Sequence, residues 1–288
     1  MRKALLARPK KVEKSKIKEK MKHNFEFSFM QSVKGVFRAQ AALLFLLVAC
    51  SGIVGKQELV VFAAASLTDA FDQIAAEFEA NYPGVDVLNN YANSSQLAMQ
   101  LVEGAQADVF ASANQNQMQV AVDAGFIQSE PVVFVTNRLT IIVPWDNPAG
   151  IQSPADLTKP GLRLVLAAPG VPARDYSDQS IALMGDQEFL AAVYDNVVSE
   201  EPNVRQVATK VALGEADAGI VYVSDVTPDI SGQVLLIPIP NDQNIIAVFP
   251  IAVVEGAPSG DLALAFVDFV LGPEGQAILQ GWGFGPKP

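Results

Sequence analysis

The sequence predicts an α/β protein of two lobes, each a mostly parallel sheet flanked by helices, joined by strands that cross between them. Three observations carry that expectation. Apolar, β-rich runs alternate with spans whose apolar residues recur at helical spacing, the mark of a parallel sheet covered by helices. Glycine or proline punctuates many of these spans. Late in the chain, residues 245–254 (IIAVFPIAVV) form a β-rich run interrupted by Pro250, of a kind that can leave one sheet and return to the other.

Taken in order, residues 58–63 (ELVVFA) read as a buried parallel strand. Ser66-Leu67-Thr68-Asp69 follows as a helix-start signature, and Ala70, Ile74, Ala75 and Phe78 carry one apolar face toward Asn81. Pro83-Gly84 breaks the chain before a strand at 85–88. Asn93-Ser94-Ser95-Gln96 opens a helix with Leu97, Leu101 and Val102 on one face and Gly104 as its stop. A short strand at 108–111 and a helix at 117–124, ended by Gly125, complete a β-α-β-α-β-α run. Residues 139–143 (LTIIV) carry the chain into a second lobe, with strand 162–167, helices 173–184, 186–198 and 204–213, and strands 218–223 and 233–239. Helices 260–271 and 273–281 close the chain. The expected division is a leader at 1–49, a tether at 50–57, one lobe from 58–137 plus 249–288, and a second lobe from 138–248.

Half of the 288 residues are hydrophobic and 18% are charged, which excludes a disordered chain. Charge is unevenly spread: residues 1–49 hold 12 of the 20 basic and 3 of the 31 acidic side chains, leaving a body of net charge −20. Such a body offers no electrostatic footprint for nucleic acid. The one His is His23 and the one Cys is Cys50, both in or at the edge of the leader. The body is therefore without Ser-His-Asp or Cys-His catalysis, His or thiolate metal sites, and disulfides. No cofactor is expected.

The leader reads as an export signal. Residues 41–49 (AALLFLLVA) are an apolar run of nine, too short to span a bilayer and of signal-peptide length. Lys34 and Arg38 precede it, and Leu47-Val48-Ala49-Cys50 ends it. That ending resembles the lipobox of bacterial lipoproteins, which places cleavage before Cys50 and lipid on its sulfur. The basic, unpatterned stretch before it suggests a translation start at Met21 or Met30.

Three strand-to-helix corners share a chemistry: Ala63-Ala64-Ala65-Ser66, Ala92-Asn93-Ser94-Ser95 and Pro169-Gly170-Val171-Pro172-Ala173. Each combines small or turn-forming residues with a helix start, and a helix N-terminus offers unpaired N–H donors and partial positive charge. Several such ends converging on one point make an anion site without a formal cation. A fourth helix begins near Val204, and Tyr222 ends a strand.

These segments resemble a known family. FAAASLTDA, the YANSS corner, ADVFASA, GVPA, NVRQVA, GIVYVSD, FPIAVVEG and GPEGQAILQGWGF occur in the order found in the molybdate-binding proteins of bacterial ABC importers, across residues 58–285. The resemblance implies a two-lobe periplasmic-binding-protein fold closing over a tetrahedral oxyanion, molybdate or tungstate, for delivery to a permease and its ATPase. It implies a monomer outside the cytoplasm that is not an enzyme. It places the oxyanion on backbone N–H groups and hydroxyls at Ser66, Ser94, Ala173, Val204 and Tyr222, with no direct ligand to the metal.

Those positions include no carboxylate. That suits molybdate, a full dianion whose oxygens only accept, and suits phosphate less, because phosphate keeps a proton near neutral pH. Sulfate is the alternative ligand and a Ser-Lys hydrolase the remote alternative function. Binding through hydroxyls and amides is expected to be nearly flat from about pH 6 to 9. Each residue also has a plainer role. Ser66 and Ser94 can be helix caps, with Ser95 competing for the second position, and Tyr222 can be a core aromatic. The sequence departs from the family at Asn93, Gln106, Asn114, Arg174 and Asp175. Arg174 either adds charge to the site or lies on its rim. Asp108 reads as structural, Arg138 and Arg205 as surface or interlobe residues, and Trp145 and Trp282 as packing residues.

Overall fold

The computed structural model describes residues 56–287. The leader, His23, Cys50 and most of the tether lie outside the described residues. Strand β1 (Gln57–Ala64) pairs in parallel with β2 (Val85–Ala92) and β3 (Val109–Ala111). β3 runs antiparallel to β9 (Ile246–Val253), and β9 antiparallel to the first part of β4 (Val132–Pro144). From Leu139 onward β4 pairs instead with β7 (Ala218–Tyr222) and β8 (Val234–Pro238), both antiparallel. β7 continues in parallel through β5 (Leu164–Ala167) to β6 (Val197–Glu201). The order is β2-β1-β3-β9-β4-β7-β5-β6, with β8 on β4, so one long strand belongs to both lobes.

The helices are α1 (Thr68–Asn81), α2 (Ser94–Val102), α3 (Gln115–Asp123), α4 (Pro172–Met184), α5 (Gln187–Asp195), α6 (Val204–Ala212), α7 (Pro228–Ser231), α8 (Gly260–Leu271) and α9 (Pro273–Gly281). β1 shows why its run is apolar throughout. Leu59, Val61 and Ala63 join the core that contains Phe71, Ile74 and Phe78 of α1. Phe62 joins the opposite core, with Leu97 and Leu101 of α2 and Phe110. A strand buried on both faces has no polar side to alternate with. Phe78 meets Phe266 of α8 edge to face at 5.2 Å, closing the last helices onto the first lobe.

The structure differs from the sequence reading in four places. β4 starts at Val132, seven residues before the expected strand, because the β-branched run through Val135 pairs with β9. β9 stays in the sheet of β3 and β4, so crossing falls to β4. Pro250 fits β9 because it lies opposite Val133, where the register of β4 shifts. The helix expected at 186–198 ends at Asp195, and Val197-Val198 begins β6 instead. Asn196 turns the chain there, its Nδ2 held by the carbonyls of Leu157 and Lys159 at 2.8 and 2.9 Å. Finally, Trp145 is 67% exposed and not a packing residue, whereas the Trp282 indole packs partly on the core and donates to Gln73.

Gly219 in β7 brings two site elements together. A Cβ there would stand 2.8 Å from Val207 Cγ1 of α6, so the bare backbone lets α6 lie against β7.

Candidate functional site

The carboxyl ends of β1, β2, β5, β6 and β7 face one small cavity. Its wall includes Ser66, Asn93, Ser94, Ala173, Asn203, Val204 and Tyr222. About 10 Å³ of it is open to the centre of a water-sized sphere, room for a few oxygen centres and little more. All five residues expected to hold an oxyanion, Ser66, Ser94, Ala173, Val204 and Tyr222, line this one space.

Ser66 lies in a 3₁₀ turn, Ala65–Leu67, between β1 and α1. It does not cap α1: the N-cap position is Leu67, without a side-chain bond. Its Oγ is buried and has no partner within the protein. The expectation of Ser66 as a helix cap is thereby corrected. Its place inside the 3₁₀ turn, and not at the head of α1, puts Ser66 in the cavity wall.

Ser94 opens α2 and is fully buried. Its Oγ accepts the Ala113 N–H at 2.9 Å, which leaves its own proton free to donate. Asn93 is the cap of α2, with Oδ1 accepting from Gln96 N at 2.9 Å and from Ser95 Oγ at 2.6 Å. Ser95 is thus committed locally, whereas Ser94 lines the cavity.

Ala173 and Val204 contribute backbone. Ala173 is second in α4 and Val204 first in α6, so neither N–H has an acceptor inside its helix. The chain turns into α4 at Gly170, whose φ of +85° favours glycine. Tyr222 ends β7 with its ring edge-on to Phe249 at 5.5 Å and to Tyr176 at 6.3 Å. Its hydroxyl is buried without a partner, and burial pushes its pKa well up, so it stays a neutral donor.

The amide oxygens of the wall are engaged. Asn93 Oδ1 serves α2 and Asn203 Oδ1 accepts Gln206 N at 3.1 Å, while Ser94 Oγ takes Ala113 N. The hydroxyls of Ser66 and Tyr222 remain unpartnered and can donate. Among the described residues no carboxylate, lysine or arginine lines the cavity. The arrangement suits a small group that accepts on every side.

Charge stands one layer back. Arg174 points away from the cavity, to Asp178 and Glu200 at 2.6 Å each and to the Ala167 carbonyl at 3.1 Å, over the Tyr194 ring. Arg205 pairs with Asp69 and lies 3.1 Å from buried Asp225. Asp225 Oδ2 accepts the Tyr222 N–H at 3.1 Å, while Oδ1 sits off the hydrogen-bonding line of Arg205. Burial outweighs both contacts and pushes the Asp225 carboxyl up to about 6. Asp108 braces the first lobe, accepting the N–H groups of Val60 and Ser259 at 2.8 and 2.7 Å. Arg138 pairs with Asn241. The sequence reading missed Asn203 and Asp225. Asn203 was legible, since Asn directly before a helix is a cap signal. Asp225 was not, because its place behind Tyr222 exists only in the fold.

Residues 59–285 match the model of the bacterial extracellular solute-binding proteins. The chain is 41% identical over 230 residues to the molybdate-binding protein ModA of Mycobacterium tuberculosis, covering 80% of this chain and 85% of that one. It is 33% identical over 256 residues to the molybdate-binding protein ModA of Escherichia coli, covering 85% and 95%. In fold it resembles the periplasmic molybdate-binding protein of Azotobacter vinelandii, with TM-score 0.68 at 21% identity over 78% of this chain and 98% of that one. With a model match across nearly the whole body and a relative this similar, the chain belongs to the family of bacterial extracellular solute-binding proteins, alongside its ModA members.

Proposed function

We propose that this protein is an extracytoplasmic receptor that binds molybdate, and tungstate with it, and hands the ion to an ABC permease. The observation that carries the reading is a carboxylate-free cavity rich in donors: hydroxyls at Ser66, Ser94 and Tyr222 and helix-start N–H groups at Ala173 and Val204, with the amide oxygens of Asn93 and Asn203 engaged in capping their helices. A fully deprotonated dianion can accept from all of these at once, whereas a protonated one must turn a hydroxyl around to accept its hydrogen. Hydrogen bonds to a charged group contribute about 1.5–3 kcal/mol each, so these five donors give roughly 8–15 kcal/mol before the costs of closure and desolvation. A dissociation constant between about micromolar and nanomolar follows. The net −20 of the body slows capture of an anion, and local dipoles act against that field.

We propose carriage and not catalysis, a reading supported by relatives that are solute-binding proteins. We further propose a monomer tethered to the membrane through lipid on Cys50, a reading supported by the LVAC box behind its apolar run. Mass spectrometry of the mature N-terminus checks this, and an unmodified Cys50 sinks it. We propose the lobe boundaries 58–137 plus 249–288 and 138–248; the change of partners along β4 supports the first crossing, near residue 138, while β9 enters the first lobe's sheet already at Ile246.

Sulfate, also a full dianion whose oxygens only accept, is the second reading. Calorimetric titration of residues 51–288 with molybdate, tungstate, sulfate and phosphate ranks the ions. Molybdate and tungstate are expected to bind tightest and phosphate weakest. Tighter binding of phosphate would overturn the reading of the wall.

A further inference from the structure

Three polar contacts cross between the lobes around the cavity. Asn93 Nδ2 donates to the Pro202 carbonyl at 2.7 Å, Arg205 pairs with Asp69, and Asn114 Nδ2 donates to Asp175 Oδ2 at 3.1 Å. The first two belong to residues at the site corners themselves. The third stands outside the cavity wall, and its chemistry can be separated from ligand contact.

Asn114 lies between β3 and α3 in the first lobe and is 3% exposed. Its Oδ1 caps α3, accepting Gln117 N at 2.9 Å, so Nδ2 alone is free to reach across. Asp175 sits in the first turn of α4 in the second lobe, two residues beyond Ala173. Its carboxylate is half-buried, and burial together with nearby Asp178 raises its pKa, while the Asn114 bond and Arg174 lower it. A carboxylate so close to an anion cavity repels the ligand if it swings inward. The amide of Asn114 holds it outward and uses the same bond to join the lobes.

We infer that Asn114 and Asp175 form a cross-cleft latch, with Asn114 a positioning residue that sets how long the closed lobes retain the oxyanion. The inference rests on the proposed receptor function and adds a kinetic role to residues that do not touch the ligand. Capture occurs on the open form, before the bond exists, and so does not depend on it. Release requires the lobes to part and the bond to break, so the latch acts on the release rate.

Asn114→Asp keeps the helix cap, because Asp caps as well as Asn, but replaces the crossing donor by a carboxylate facing Asp175. Release of molybdate, followed by isotope chase with excess unlabelled molybdate, is expected to accelerate about tenfold, the change that one charge-assisted hydrogen bond corresponds to. Association by stopped flow should stay within about twofold and apo melting unchanged. The double variant Asn114→Asp with Asp175→Asn reverses the pair, letting the new amide donate to the new carboxylate, and should return release to near the wild-type rate. A residue that merely supports local structure predicts no such recovery. Unchanged release in the single variant, slowed association alone, or no recovery in the double variant overturns the latch. If the wild type binds neither molybdate nor tungstate but binds sulfate, the receptor reading is revised and the same chase is run with sulfate. If it binds none of these, the receptor reading fails and the latch, a claim about ligand retention, is overturned with it; binding with unchanged release overturns the latch alone.

Discussion

Replacing Ser66 by alanine removes one oxygen from the cavity wall and nothing else. In the structure that oxygen has no partner within the protein and caps no helix. A buried hydroxyl without a partner costs about 1–3 kcal/mol, so its removal leaves the ligand-free protein as stable as wild type or slightly more so. With an oxyanion bound, the same hydroxyl donates a charge-assisted bond, and its loss costs about 1.5–3 kcal/mol, roughly a ten- to hundredfold drop in affinity. Stability and affinity thus move independently or in opposite directions, a signature that packing damage cannot mimic. Apo melting curves and calorimetric titration with molybdate measure the two quantities on one preparation. A capping role predicts the reverse, near-normal affinity with about 1 kcal/mol less stability. That outcome, or an affinity within twofold of wild type, refutes the argument from the unpartnered oxygen.

Five further outcomes are expected. Ser94→Ala should lower both quantities, because it removes the same kind of donor and also leaves the buried Ala113 N–H without an acceptor, a loss of about 1–3 kcal/mol visible in the apo melt. Arg174→Ala should leave molybdate affinity within about twofold, since its guanidinium serves Asp178, Glu200 and a carbonyl away from the wall; titration checks it. Gly219→Ala should destabilise by about 1–3 kcal/mol through overpacking against Val207, read from denaturant melts. Asp225 has a folded pKa of about 6, above its unfolded value, so the folded state binds the extra proton and its contribution falls as pH rises between about 4 and 6. Asp225→Asn should remove that fall, seen as a difference between the melting curves of variant and wild type across the window. Affinity should be flat from about pH 7 to 9, with the lower edge of the sequence-based window now governed by Asp225.

Much of this protein is written in its local sequence. The runs at 59–63, 164–167 and 218–222 are apolar throughout because their strands are buried on both faces, and periodicity registers that directly. Helices 260–271 and 273–281 are bounded by Gly272 and Pro273, punctuation that depends on backbone chemistry alone. The absence of His and Cys from the body excluded whole chemistries by counting. The five site positions were reached through a resemblance, and only two of them, Ser66 and Ser94, sat in corners whose side chains hinted at a role. Ala173 and Val204 are proposed to act through N–H groups that every residue carries, so composition cannot mark them.

The rest depends on where distant segments meet. That β4 serves both lobes follows from which strands find it, β9 before Arg138 and β7 and β8 after it. Whether Ser66 caps a helix or faces a cavity turns on a 3₁₀ turn three residues long, below the resolution of any periodicity. Arg174 was one residue from a site position in sequence, and only the packing of α4 against Glu200 and Tyr194 turns it away. The Asn114–Asp175 bond and the burial of Asp225 behind Tyr222 join groups remote in sequence or set by tertiary packing. A chain records which groups it owns and how its backbone runs locally; which of them are left without partners, and so free for a ligand, is settled only when the lobes have closed around them.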